Sequence, residues 1–116
     1  MHLTRENWEQ ALTCFNRAIE INPKTAMAYS NRGNVFYNRR QYEQAMADYN
    51  RAVELSPQSA NAYFNRGSVW LRLGNQTKAE EDFARAQTLK PALKDAAAAH
   101  LRAAKNSSLA VQQEKE

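Results

Sequence analysis

The chain repeats itself at a spacing of 34 residues, and this period restricts the folds open to it more than any other feature. The segment 26–57, AMAYSNRGNVFYNRRQYEQAMADYNRAVELSP, laid on 60–91, ANAYFNRGSVWLRLGNQTKAEEDFARAQTLKP, gives 13 identities in 32 ungapped positions. Ala28, Tyr29, Asn31, Arg32, Gly33 and Val35 recur in the first half, and Ala45, Asp48, Arg51, Ala52, Leu55 and Pro57 in the second. Laid backward by the same step, Ala45, Tyr49, Ala52 and Pro57 meet Ala11, Phe15, Ala18 and Pro23. Small, aromatic and proline residues in register at such a period mark stacked supersecondary units. Each unit is too small to bury its own apolar face and packs on its neighbours.

Within each unit the apolar spacing is helical. Trp8, Ala11, Leu12, Phe15, Ala18 and Ile19 fall at steps of three and four and predict a helix over about Asn7–Ile21. Asn7 is placed to cap it, with Gln10 three residues on, and Pro23 blocks its continuation. Further helices are expected over about 26–38, 41–55, 60–73 and 75–89, with Thr25 and Ser59 as N-caps. Gly33 and Gly67 recur inside helices, where glycine costs about 1 kcal/mol against alanine. Their register predicts a close helix approach, met by Ala45 and Ala79. Gly74 suits a turn with positive φ, and Arg40 takes its place one repeat earlier.

After Pro91 the alanine-rich stretch 92–105 predicts a capping helix that lays Leu93, Ala96, Ala97 and Leu101 on the last repeat. The polar stretch 106–116 is expected to be a disordered tail. The first helix has no complete hairpin partner, so Trp8, Leu12 and Phe15 are expected to leave apolar area for self-association or a partner. The alternatives are that residues 1–6 fold back over this face, or that the chain is a fragment of a longer array.

These residues resemble the tetratricopeptide repeat (TPR) family. Its pattern is filled once by Tyr29, Gly33, Phe36, Ala45, Tyr49, Ala52 and Pro57, and again by Tyr63, Gly67, Trp70, Ala79, Phe83, Ala86 and Pro91. The resemblance covers about residues 7–91 and implies an all-α, right-handed superhelical stack of antiparallel helix hairpins. On this reading the TPR domain spans 1–105, with a half repeat at 7–23, full repeats at 26–57 and 60–91 and the cap at 92–105. The resemblance further implies that the first-half helices line a concave groove. The stripe left free on them is Met27, Ser30, Asn31, Asn34, Tyr37 and Asn38, then Asn61, Phe64, Asn65, Ser68, Leu71 and Arg72, with Arg102 from the cap.

Side-chain amides both donate and accept, so this stripe can hold an extended peptide backbone. Tyr37 and Phe64 offer flat apolar contact, and Arg72 and Arg102 suit a carboxylate. The plain alternative is a polar, solvated helix face. Some TPR co-chaperones clamp the C-terminal carboxylate of heat-shock chaperones with lysine, arginine and asparagine. Asn34 and Asn65 match the two asparagines of that set. Ser30, Asp95 and Ala99 stand where the cations would be, so the clamp lacks its positive charges.

No catalytic constellation, metal set or cofactor motif is legible. His2 and His100 lie far apart, Cys14 has no basic neighbour to activate it, and the glycines form no phosphate loop. The net charge of +4 is dispersed among acids, which points away from a nucleic-acid ligand. Arg32 and Arg66 are expected to run their stems along the hairpin and place the guanidinium in water. No apolar run approaches the ~18 residues of a membrane span, the N-terminus is polar, and the single cysteine suits a reducing compartment, so a cytoplasmic location is expected. The function expected is non-enzymatic binding of another protein's peptide segment in the groove. The alternatives are a self-associating assembly subunit using the N-terminal face, or an RNA-binding helical repeat.

Overall fold

A computed structural model describes the backbone of residues 5–115 and the side chains of residues 7–105. The described residues form six α-helices and no strand: α1 (Arg5–Ile21), α2 (Ala26–Asn38), α3 (Tyr42–Leu55), α4 (Ala60–Arg72), α5 (Gln76–Leu89) and α6 (Lys94–Lys115). A 3-10 turn at Pro91–Leu93 joins the last two. Helices α2 and α3 pair as one hairpin and α4 and α5 as the next, with α1 packed on α2, α3 on α4, and α6 across α4 and α5. None of the described helices is long and apolar enough to cross a membrane.

Each hairpin closes where a glycine meets a ring. A Cβ built on Gly33 would lie 2.8 Å from Cε1 of Tyr49, and one on Gly67 would lie 2.8 Å from Cε1 of Phe83. The close approach expected at these glycines is therefore made to the aromatic ring of the partner helix, rather than to Ala45 and Ala79. Those alanines are themselves wholly buried. Tyr49 and Phe83 are the largest fully buried side chains. Burial of a ring of this size stabilises the fold by about 1.5–3 kcal/mol. Ala45, Met46, Tyr49 and Val69 form the central cluster, edged by Phe36, Tyr37, Tyr42 and Trp70, so one hairpin's core continues into the next.

The helix ends are set locally. Ser59 caps α4 by accepting from the Ala62 amide at 3.3 Å, and Asn75 caps α5 by accepting from the Lys78 amide at 3.1 Å. Thr25 has the extended backbone of a cap but no capping hydrogen bond from its side chain. Helix α1 already starts at Arg5, so Asn7 lies inside it and does not cap it. Gly74 (φ +84) and Arg40 (φ +63) both take left-handed backbone, at equivalent turns.

The cap packs as its pattern requires at two positions. Ala97 is fully buried and Leu101 half-buried against Phe83, Trp70 and Phe64, whereas Ala96 is exposed. Pro91 opens the 3-10 turn, so α6 proper begins at Lys94 rather than Ala92. The helix then continues to Lys115, through most of the segment expected to be a disordered tail. No glycine or proline follows Pro91 to stop it, and its alanines, leucine and glutamines favour helix.

Candidate functional site

Helices α2 and α4 stand side by side and bound a cleft of about 560 Å³. Met27, Ser30, Asn31 and Asn34 line it from α2, and Asn61 and Asn65 from α4, while Ala52 of α3 and Ser56 just beyond its end also contribute. The cleft is thus an amide cluster with a small-residue edge. Asn34 is fixed within it, because its Oδ1 accepts from the Tyr49 hydroxyl and from Asn65 Nδ2, the latter at 3.3 Å. With both lone pairs of that oxygen engaged, the Asn34 amide offers its N–H donors, and Asn65 offers its carbonyl oxygen.

A second cleft, of about 410 Å³, opens between the end of α4 and α6. Tyr37, Ser68, Leu71 and Arg72 line it on one side, Gly74 of the α4–α5 turn and Gln76 at the start of α5 add to it, and α6 closes it with His100, Ala103 and Ala104. Arg72 donates from Nε to the Tyr37 hydroxyl at 3.2 Å and lies over the Tyr37 ring, 6.0 Å from its centroid. That hydrogen bond raises the guanidinium pKa above its ordinary value. The His100 ring stacks on Phe83 at 6.3 Å and meets Phe64 edge-on at 5.2 Å.

The predicted stripe therefore divides. Met27, Ser30, Asn31, Asn34, Asn61 and Asn65 come together in the first cleft, and Tyr37, Ser68 and Arg72 in the second. Phe64 is half-buried and packs on Phe83 at 5.2 Å, as part of the core under α6. Asn38 and Arg102 are exposed and line neither cleft. Trp8, Leu12 and Phe15 are half-buried. Among the described residues the most exposed large apolar side chains are instead Ile21, at 79%, and Met27, at 74%. Residues 1–4, and with them the fold-back over the N-terminal face, lie outside the described residues.

The repeated arginines have a different role from the one expected. Arg32 makes a bidentate pair with Asp48, Nε to Oδ2 at 2.9 Å and Nη2 to Oδ1 at 2.7 Å, and donates from Nη1 to Asn16 of α1 at 2.9 Å. Arg66 repeats the arrangement with Asp82 at 2.8 and 2.7 Å and with Asn50 of α3 at 3.2 Å. Each carboxylate raises its arginine's pKa through these hydrogen bonds. The guanidinium groups clamp three helices rather than reaching into water, and two of their nitrogens are spent on an acid.

Residues 2–39 and 33–74 match a TPR repeat model, and residues 60–93 match a tetratricopeptide repeat model. The chain belongs to the TPR family. No curated protein sequence is significantly similar to it. Among solved structures, the Arabidopsis OM64 TPR domain superposes with a TM-score of 0.78 at 29% identity, over 84% of this chain and 82% of that one. The second TPR domain of human RPAP3, in complex with the HSP70 peptide SGPTIEEVD, gives 0.77 at 28% identity, over 86% and 82%. The first TPR of Spaghetti (RPAP3), bound to the HSP90 peptide SRMEEVD, gives 0.80 over 90% and 82%, and at 23% identity this likeness is one of TPR fold alone.

Proposed function

We propose that this TPR protein is a non-enzymatic interaction module that holds an extended segment of a partner protein in the cleft between α2 and α4. The observation that carries the reading is the amide cluster of Asn31, Asn34, Asn61 and Asn65 on two adjacent helices, with Asn34 locked by Tyr49 and Asn65. An extended peptide has unpaired backbone donors and acceptors along its length, and fixed amides satisfy both without first being ordered. The complex of the related RPAP3 domain with a peptide supports the same use of the fold. Ser30, Asp95 and Ala99 supply no cation at the positions of the co-chaperone clamp on a C-terminal carboxylate, so recognition of the segment rests on other residues.

The test is affinity capture from lysate of the source cells, comparing wild type with an Asn31→Ala, Asn65→Ala double variant whose helicity is checked by circular dichroism. Proteins captured by wild type and lost by the variant are the expected result. Equal capture by both would overturn the groove reading and direct attention to the N-terminal face around Trp8, Leu12 and Phe15.

A further inference from the structure

We infer that the cleft between the end of α4 and α6 is a carboxylate-binding subsite, in which Arg72, held by Tyr37 and flanked by His100, takes an acidic group of the same partner segment. The inference rests on the groove reading above and adds a chemical requirement to it.

The first argument is a contrast among arginines. Arg32 and Arg66 each spend two nitrogens on a buried aspartate. Arg72 instead donates Nε to a neutral phenol oxygen, and among the described residues no acid pairs with it. Its Nη donors remain for a ligand. The Tyr37 hydroxyl and ring already fix the guanidinium, so little side-chain entropy is lost when an anion binds.

The second argument is the lining. None of the described residues around this cleft is acidic. Ser68 is committed to the Phe64 carbonyl, and Gln76 donates to Glu80 one turn along α5. The Tyr37 hydroxyl, which accepts from Arg72, and the second Gln76 amide hydrogen also keep donor capacity, but Arg72 brings the cation, and His100 beside it is held in orientation by Phe64 and Phe83. A guanidinium with two free nitrogens matches a carboxylate in charge and in bidentate geometry. The volume of about 410 Å³ admits an acidic side chain or a chain end. The subsite is also distinct from the co-chaperone clamp on a C-terminal carboxylate, whose cationic positions hold Ser30, Asp95 and Ala99 here.

The experiment uses the full chain, labelled with ¹⁵N, and titrates it with four forms of the peptide SRMEEVD. One is unmodified, one has an amidated C-terminus, one has its acidic side chains replaced by amides, and one carries both changes. The Arg72 Nε–H and His100 ring signals report the subsite, and the Asn34 and Asn65 Nδ2 signals report the amide cleft. The expected result is that carboxylate-bearing peptides move Arg72 and His100 while the fully neutral form does not, and that Arg72→Gln weakens binding about tenfold, the scale of one charge-assisted hydrogen bond. The second and third forms decide between a side-chain and a terminal carboxylate. Arg72 unmoved by every acid, moved equally by the neutral form, or moved no more than the exposed Arg85 and Arg102 would overturn the subsite. If the subsite signals move while Asn34 and Asn65 stay still, it is the groove reading that fails and the subsite that stands.

Discussion

Arg32 and Asp48 lie on opposite helices of one hairpin and meet through two hydrogen bonds of 2.9 and 2.7 Å, with the aspartate only 4% exposed. Arg66 and Asp82 repeat the pair one unit later. The geometry satisfies both carboxylate oxygens, which is what makes the burial of such a charge tolerable. Breaking the pair by Asp48→Asn should leave the guanidinium half-paired and cost about 2 kcal/mol. Urea denaturation followed by circular dichroism measures this directly. A loss below about 0.5 kcal/mol, the level of an exposed ion pair, would place these bridges among incidental surface contacts.

The glycine–ring contacts make a second prediction, in which two effects oppose. Gly33→Ala improves helix propensity by about 1 kcal/mol. It also drives a methyl group to 2.8 Å from a Tyr49 ring carbon, and that ring is buried and tied by its hydroxyl to Asn34. Overpacking of a rigid core costs about 1–3 kcal/mol. The expected result is a lower thermal midpoint for Gly33→Ala and for Gly67→Ala. A raised midpoint would mean that the rings move aside at little cost.

Much of this was legible in the sequence, for a physical reason. The recurrence of Gly33, Ala45 and Ala52 at 34 residues reports positions where only small side chains fit, so the hairpin stack follows from the letters. Charge pairing was harder to read, because arginine and aspartate are common on solvated helices. The signal was nevertheless present: in both repeats an asparagine, an arginine and an aspartate stand 16 residues apart, as Asn16, Arg32 and Asp48, then Asn50, Arg66 and Asp82. A second signal lay in an exchange between repeats. Tyr49 faces Asn34, and at the equivalent places Phe83 accompanies Ser68, so hydroxyl and amide are lost together. That His100 and Arg72 line one cleft had no comparable signal. It depends on how α6 settles on α4, which period and composition do not fix.

Burial of the Tyr49 phenol raises its pKa well above the usual tyrosine value, with the nearby Tyr37 and Asp48 adding to the effect. The folded chain therefore keeps this proton to higher pH than the unfolded chain does. The resulting stability is fully present below about pH 10, the unfolded tyrosine value, and is lost as pH rises beyond it toward the folded one. The urea midpoint should fall above about pH 10, by up to about 1.4 kcal/mol of stability per pH unit from this single group. Tyr49→Phe should flatten that alkaline limb while lowering stability at neutral pH through loss of the Asn34 bond. An unchanged alkaline slope in the variant would assign the loss to other groups.

Arg40 and Gly74 close equivalent turns. In each the following amide reaches back into the first-half helix, Gln41 to the Phe36 carbonyl and Asn75 to the Trp70 carbonyl, both at 2.8 Å. That geometry requires left-handed backbone, at φ +63 for Arg40 and +84 for Gly74. Glycine adopts it freely, whereas a residue with a Cβ is strained there. Gly74→Ala should therefore destabilise by about 1 kcal/mol. Arg40→Gly should stabilise despite the added freedom of the unfolded chain, by about 0.5–1 kcal/mol, because the Arg40 side chain is exposed and its strain is relieved. Paired denaturation curves for the two variants would measure both shifts. A loss of stability in Arg40→Gly would mean that Arg40 makes a compensating interaction along α2 or α3.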